Sequence, residues 1–272
     1  GKYRRSGFEL DVTYNNKFGD VTFTANANAL FYKSKLLANG ENAYPESYMQ
    51  RVGEKQGQIF GYVADGLFQS QKEIDSYLST TKIEGYVPQP GDIKYCDLNG
   101  DHILDGKDVK AIGNNAPLIE YGFYLGAEWK GLGFDAMFQG TGRYSAVLNT
   151  KSLYWPLINN TTISQEYYDN RWTPENQDAK YPRLSSQSNE NNYQTNTLWL
   201  ADRSFLKLRS IELYYKFPQT WVKKSKILSN AKIYVRGIDL LCFDKINIAD
   251  PEVYGATYPL PRSVVAGLTI GF

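Results

Sequence analysis

From Ile119 the apolar residues fall on every second position: Ile119, Tyr121, Phe123, Leu125, Ala127 and Trp129 alternate with Glu120, Gly122, Tyr124, Gly126 and Glu128. A period of two sends the two sets to opposite faces of a pleated chain, so this stretch predicts a β-strand with one oily and one polar side. Past a tight turn at Lys130 and Gly131 the even positions take over, with Leu132, Phe134, Ala136 and Phe138 set against Asp135 and Gln139. The two runs predict a hairpin. The same alternation recurs at 7–15 (Phe8, Leu10, Val12, Tyr14), 20–33 (Val21, Phe23, Ala25, Ala27, Ala29, Phe31), 231–243 (Ile233, Val235, Leu241, Phe243) and 263–272 (Val264, Ala266, Leu268, Ile270, Phe272). Between 203 and 217 the phase slips, because Leu206 and Leu208 precede Ile211, Leu213, Tyr215 and Phe217. One extra residue near Arg209 and Ser210, a β-bulge, restores a single face.

The connections divide the chain unevenly. Two strands within 1–33 are followed by a long loop at 34–117, a hairpin at 118–144, a loop at 145–202, a hairpin at 203–243, a loop at 244–262 and a last strand at 263–272. Short turns on one side and long loops on the other are the pattern of an outer-membrane barrel, with the long loops outside the cell. A soluble β-sandwich alternates as well, so periodicity alone leaves both open. Two features favour the membrane. Glu9, Asp11, Asn26, Asn28, Asp135 and Gln139 give the polar faces the character of a water-filled lumen, while the opposite faces stay apolar and end in aromatic residues. The expected fold class is therefore all-β, an antiparallel transmembrane β-barrel of which this chain supplies about seven strands. Even the smallest closed barrels use about eight, so the chain is expected to be one part of a longer or nicked protein.

Composition narrows the function. Lys plus Arg number 30 against 29 Asp plus Glu, a formal charge of +1 with no basic block, which argues against a nucleic-acid partner. No apolar run approaches the ~20 residues of a membrane-spanning helix, and the opening GKYRRSGFEL is too polar for a signal peptide. His102 is the only histidine, which removes histidine-based metal sites and most catalytic triads. Cys96 and Cys242 are too far apart in sequence for a zinc site or a disulfide scaffold. A glycan hydrolase would need two carboxylates facing one cleft, and nothing in the sequence marks such a pair, so no enzymatic activity is expected.

The stretch DLNGDHILDGKD, residues 97–108, places an oxygen-bearing side chain at every second position. Counted from Asp97, Asn99 and Asp101 fall at positions 3 and 5, Ile103 offers a backbone carbonyl at 7, and Asp105 and Asp108 stand at 9 and 12. This is the ligand spacing of an EF-hand loop, which suits calcium first and magnesium second, in a structural role. His102 occupies the usual glycine position and Asp108 replaces the usual glutamate, a shorter carboxylate expected to bind more weakly. The alternative is an Asx-rich turn that holds itself by side-chain to backbone hydrogen bonds. Nearby, SQKEIDSYL predicts a short helix capped by Ser70 and Glu73 with Ile74, Tyr77 and Leu78 on one face. Arg171, Trp172, Tyr181 and Arg183, within RWTPENQDAKYPRL, could touch sugar or peptide, but the pattern favours pinning that loop to its neighbours.

GYVADGLFQSQKEID, PGDIKYCDLNGDHILDGKDVKAIGN, RWTPENQDAKYPRLS, SFLKLRSIELYYKFP and YPLPRSVVAGLTIGF resemble, in this order, blocks of the carboxy-terminal part of SusC/RagA-like TonB-dependent transporters. The resemblance spans nearly the whole chain. It implies a barrel of about 22 strands with an amino-terminal plug, multi-pass in the Gram-negative outer membrane, energised through TonB and capped by a SusD-like lipoprotein. Such transporters import glycans or peptides, mostly in Bacteroidota. The expected partners are therefore the lipoprotein, TonB through the plug, the amino-terminal part of the barrel, membrane lipid, and an oligosaccharide or peptide ligand. Two departures stand out: neither plug nor TonB box is present, and Cys96 replaces the lysine usual before the first aspartate. Leu268, Ile270 and the terminal Phe272 resemble the carboxy-terminal signal read by barrel-assembly machinery. The competing reading is a secreted, calcium-stabilised β-rich binding module, which would stay monodisperse without detergent.

Overall fold

The computed structural model describes residues 1–148, 162–187, 189–222, 224, 226–246, 248–253, 258 and 260–272. Seven strands form one antiparallel sheet: β1 (Lys2–Phe18), β2 (Val21–Ala38), β3 (Ile119–Trp129), β4 (Leu132–Gly142), β5 (Phe205–Lys216), β6 (Asn230–Asp244) and β7 (Ser263–Gly271). They lie side by side in chain order, and the sheet is open, with β1 and β7 at its edges.

Register turns the alternation into two continuous surfaces, because directly paired residues share a face. Phe8 pairs with Phe31, Ala27 with Phe123, Phe123 with Phe138, Phe138 with Leu208 and Leu208 with Leu241. The Phe8 and Phe31 rings stack at 4.9 Å and those of Phe123 and Phe138 at 4.5 Å. Much of this apolar band is open to the surroundings: Phe8 is 63 % exposed, Leu213 56 % and Val264 71 %, while Leu208 is buried among its neighbours. A face of that kind has hydrocarbon for its solvent. The opposite face runs Asp11, Asn28, Gly122, Gln139, Lys207, Cys242 along one row of partners. Among the described residues no helix is long and apolar enough to cross a membrane.

The phase slip is a bulge, since the register of β5 shifts between Leu208 and Ser210 against β6, with a matching shift against β4. The strands also outrun the alternation. β1 and β2 contain 17 and 18 residues, whereas a tilted strand crosses a bilayer in about 9–11. The surplus carries Arg4, Arg5, Lys33 and Lys35, so it projects into water on the long-loop side. The longer polar connection between β5 and β6 contains a helical turn at Gln219–Val222.

The long loops fold into a cap with its own core. Within 34–117, Gln58–Tyr62 pairs with Val109–Asn114, Ala64–Leu67 with Ile93–Tyr95, and Lys82–Ile83 with Ile103–Leu104. The predicted helix spans Gln71–Leu78; Ser70 Oγ accepts from the Glu73 amide, and Glu73 answers by accepting from the Gln69 amide at 2.8 Å. Ile74 is fully buried, but Leu78 is 37 % exposed and does not join the expected face, because it falls in the last, outward turn of the helix. Phe68, Ile74, Ile93, Tyr167 and Trp199 are the deepest large side chains, and all belong to the cap. The sheet cannot supply such a core, because one of its faces meets lipid and the other water.

Candidate functional site

The cap is pinned at Asp92, inside the PGD triplet that opens the second sequence block. Its carboxylate has no solvent exposure and accepts five hydrogen bonds. Tyr86 Oη and the Gln89 amide donate to Oδ2 at 2.6 and 2.7 Å. Arg183 Nε, Asn189 Nδ2 and Asn192 Nδ2 donate to Oδ1 at 2.7, 3.1 and 2.9 Å. Two donors come from the first long loop and three from the second, so one buried anion joins the two. Burial and the nearby anion together push the Tyr86 hydroxyl well above its usual range, which keeps it a donor. Burial weighs against the Arg183 charge, but Asp92 more than offsets it. Gly91, at φ +89°, leaves no room for a side chain, because a Cβ there would run into the Trp172 ring and Arg183.

Around this pin the two loops interlock. Trp172 Nε1 donates to Gln69 Oε1 at 2.8 Å, Asn192 Oδ1 accepts from the Ile93 amide at 2.8 Å, and Asn196 Nδ2 donates to Tyr95 Oη at 2.8 Å. Tyr167, Tyr181, Tyr193 and Trp199 stack with centroid separations of 4.9 to 6.1 Å. Trp172, Tyr181 and Arg183 thus serve the cap's packing, as the sequence pattern favoured, while the Arg171 guanidinium lies 3.9 Å over the centre of the Tyr168 ring. Asn189, Asn192 and Asn196 had no sequence signal, since buried amides in irregular loops follow no period.

The six candidate ligands lie in one tight loop beside this core. His102 takes φ +63°, the left-handed geometry that the spacing required of it. Asp97 accepts from the Gly100 and His102 amides at 2.8 and 2.9 Å, Asn99 from Asp101 at 3.1 Å, Asp101 from Ile103 at 2.9 Å and Asp105 from Lys107 at 2.7 Å. Asp108 is fully buried and accepts from the Leu98 and Asp105 amides. The Lys107 ammonium lies 3.0 Å from Asp101 and 3.5 Å from Asp105. Its hydrogen bond is the main reason the Asp101 carboxyl is held below the usual range. Among the described residues no three acidic, cysteine or histidine side chains converge as a metal would require. In this arrangement the Lys107 ammonium balances the charge of Asp101 and Asp105.

The polar face of the sheet is densely bonded. Glu212 pairs with Lys232 at 2.7 Å and with Arg236, Glu128 accepts from Tyr214 at 2.9 Å and Lys216 at 2.6 Å, and Tyr124 donates to Asp135. Between Asn26, Asn28, Glu120, Tyr124 and Gln139 opens a cleft of about 390 Å³. On the other face, Leu268 and Ile270 are exposed along β7, and Phe272 follows its end. Cys242 donates to Asp244 at 3.2 Å on the polar side and has no disulfide partner, and neither does Cys96.

No family model matches the chain. It is 29 % identical over 238 residues to TonB-dependent receptor P26 of Formosa agariphila, covering 81 % of this chain and 23 % of the relative. TonB-dependent receptor P3 of the same organism is 24 % identical over 302 aligned residues, covering all of this chain and 29 % of the relative. The chain thus spans less than a third of the length of these curated relatives. Among solved structures, the RagAB peptide transporter superposes with a TM-score of 0.72 at 22 % identity, over 99 % of this chain and 29 % of that one. The RagAB peptide importer in the open-open state gives the same TM-score at 21 % identity. The homologues of this chain are TonB-dependent receptors rather than enzymes, and its fold is that of one part of a larger Gram-negative outer-membrane β-barrel.

Proposed function

We propose that this chain supplies wall and outer cap to a TonB-dependent importer of oligomeric nutrients, glycan or peptide. The observation that carries the reading is a polar, hydrogen-bonding wall with an open cleft of about 390 Å³, set below a cap that one buried anion holds rigid. Passage through such a site needs donors, acceptors and width, and no bond chemistry. A SusD-like lipoprotein would dock on the cap, and TonB would act through a plug contributed by the rest of the protein. The RagAB neighbours, named for peptide transport, favour peptide over glycan as cargo. The test is uptake by cells carrying or lacking the full-length transporter, offered mixed oligopeptides and mixed oligosaccharides, with depletion of each followed by mass spectrometry. Peptide depletion that requires both the transporter and TonB is expected; equal depletion by the deletion strain refutes the reading.

We propose in addition that the 97–108 loop takes calcium, with magnesium second, as a structural ion held by Asp97, Asn99, Asp101, the Ile103 carbonyl, Asp105 and Asp108. Support comes from the ligand spacing and the left-handed His102. Because Lys107 competes for Asp101 and Asp105, Lys107→Gln should tighten binding. A calcium titration of cap melting in the full-length protein checks this. A melting temperature that ignores calcium in both forms refutes it.

A further inference from the structure

The third long connection turns inward. Lys207 is in register with Gln139 and Cys242 on the polar face, so its side chain belongs to the lumen, yet that side chain is only 4 % exposed. Its cover is the segment 248–253. Asp250 Oδ1 and Oδ2 accept from Lys207 Nζ at 2.7 and 2.8 Å, and Glu252 Oε2 accepts at 2.7 Å. Arg209, the bulge residue of β5, donates to Glu252, to Asp239 at 3.0 Å and to Gln139 at 2.9 Å. Asp239 can reach it because β6 bulges there, with φ +51°. Arg203 donates to the carbonyls of Pro251 and, at 2.9 Å, Glu252. Upstream, Ile246 is buried in the apolar core of the cap, which anchors the segment at a second point.

A loop that merely drifted across an open rim would leave Lys207 in water. Desolvating an ammonium is costly unless it is paired and hydrogen-bonded, and here the three oxygens of two carboxylates satisfy it. Burial pushes the Asp250 and Glu252 carboxyls up, but the bonds from Lys207 and Arg209 outweigh it and hold both below the usual range, so both are anionic. We infer that residues 248–253 form a fixed inward strap over the lumen side of β4–β6 that limits the width of what passes between the cap and the deeper wall. The strap and its pinning rest on geometry alone; only its role toward cargo rests on the importer reading.

The test uses the full-length transporter in nanodiscs, with Cys96 and Cys242 changed to serine and Ser210→Cys as reporter. Ser210 lies on the lumen face, paired with Met137 and Ile238 just beyond the bulge. Asp250→Asn with Glu252→Gln removes both anions and preserves shape. Amide exchange across 248–253 should then accelerate by about tenfold or more. The rate of labelling by a bulky polyethylene-glycol maleimide, divided by that of a small charged maleimide, should rise with it. The ratio cancels any change in thiol ionisation. Unchanged exchange would mean that the knot does not pin the strap, and faster exchange with an unchanged ratio would mean that the strap does not narrow the passage; either overturns the inference. Lys207→Met, which removes the cation instead, must give the same two shifts. Neither readout requires transport, so a failure of the importer reading shows separately, as absent uptake by the unmodified protein.

Discussion

Asp92→Ala removes the one group that all five donors share. Arg183 would keep its charge with 20 % of its side chain in water, so it can recruit solvent, but the buried Asn189 and Asn192 cannot. Breaking a buried pair by deleting one partner costs about 3–5 kcal/mol. The partial exposure of Arg183 puts this case at the lower end, about 3 kcal/mol or roughly a hundredfold in the open population of the cap. Hydrogen exchange of the full-length protein in nanodiscs reads this directly: amides in 89–95 and 189–196 should exchange about a hundredfold faster, while β3–β5 keep their protection. Asp92→Asn should fall between the two. Its single oxygen can serve the three donors on one side, leaving the Gln89 amide facing an NH₂ group, a loss of about 1–3 kcal/mol. Unchanged cap protection in Asp92→Ala, in a protein whose barrel still assembles, would refute the assignment of this carboxylate as the pin.

Leu125→Arg on the lipid face should impair assembly by about 2–4 kcal/mol if it lies near the bilayer midplane, measured as loss of the heat-modifiable band on a gel, whereas Tyr124→Arg on the lumen face should be tolerated better. Trp172→Phe deletes the bond to Gln69 and should cost the cap about 1 kcal/mol, read as a lower cap melting temperature. For Asp101, the folded value lies below the ordinary 3.8, so its contribution is complete above that value and is lost as pH falls through the depressed one. The gap in cap melting between the unmodified protein and Asp101→Asn should therefore be present at neutral pH and vanish in strong acid; a gap that widens on acidification would contradict the sign.

What could be read from the sequence follows from where regular solvent contrast exists. A strand between lipid and water is forced to alternate, so Phe123, Leu125, Asp135 and Gln139 announced their faces, and the slip at Arg209 announced its bulge. Beyond the bilayer that contrast vanishes. Arg4, Arg5 and Lys33 continue their strands without an oily partner, and only the register reveals them. In the cap, the hydroxyl of Ser70 and the carboxylates of 97–108 were legible because helix caps and Asx turns have fixed local spacings. Asp92 carries no local sign of its role, since its donors Arg183, Asn189 and Asn192 arrive from 91 to 100 residues away. Lys107 likewise sits inside a ligand pattern whose spacing gives no hint that an ammonium would share its oxygens.

That separation also fixes an order of assembly. Asp92 meets Asn192 across 100 residues, Tyr95 meets Asn196 across 101 and Gln69 meets Trp172 across 103, and the β3–β4 hairpin lies between the partners. Contacts so distant along the chain are slow to find by diffusion. Once β2 has paired with β3 and β4 with β5, however, the ends of both long loops already stand side by side, and most of the loop-closure entropy has been spent by the sheet. The membrane-spanning wall therefore acts as the template on which the cap folds, last and on the far side of the bilayer. Damage to the cap should leave an inserted barrel with an open roof, whereas damage to the β3–β4 hairpin should deprive the cap of any route to form.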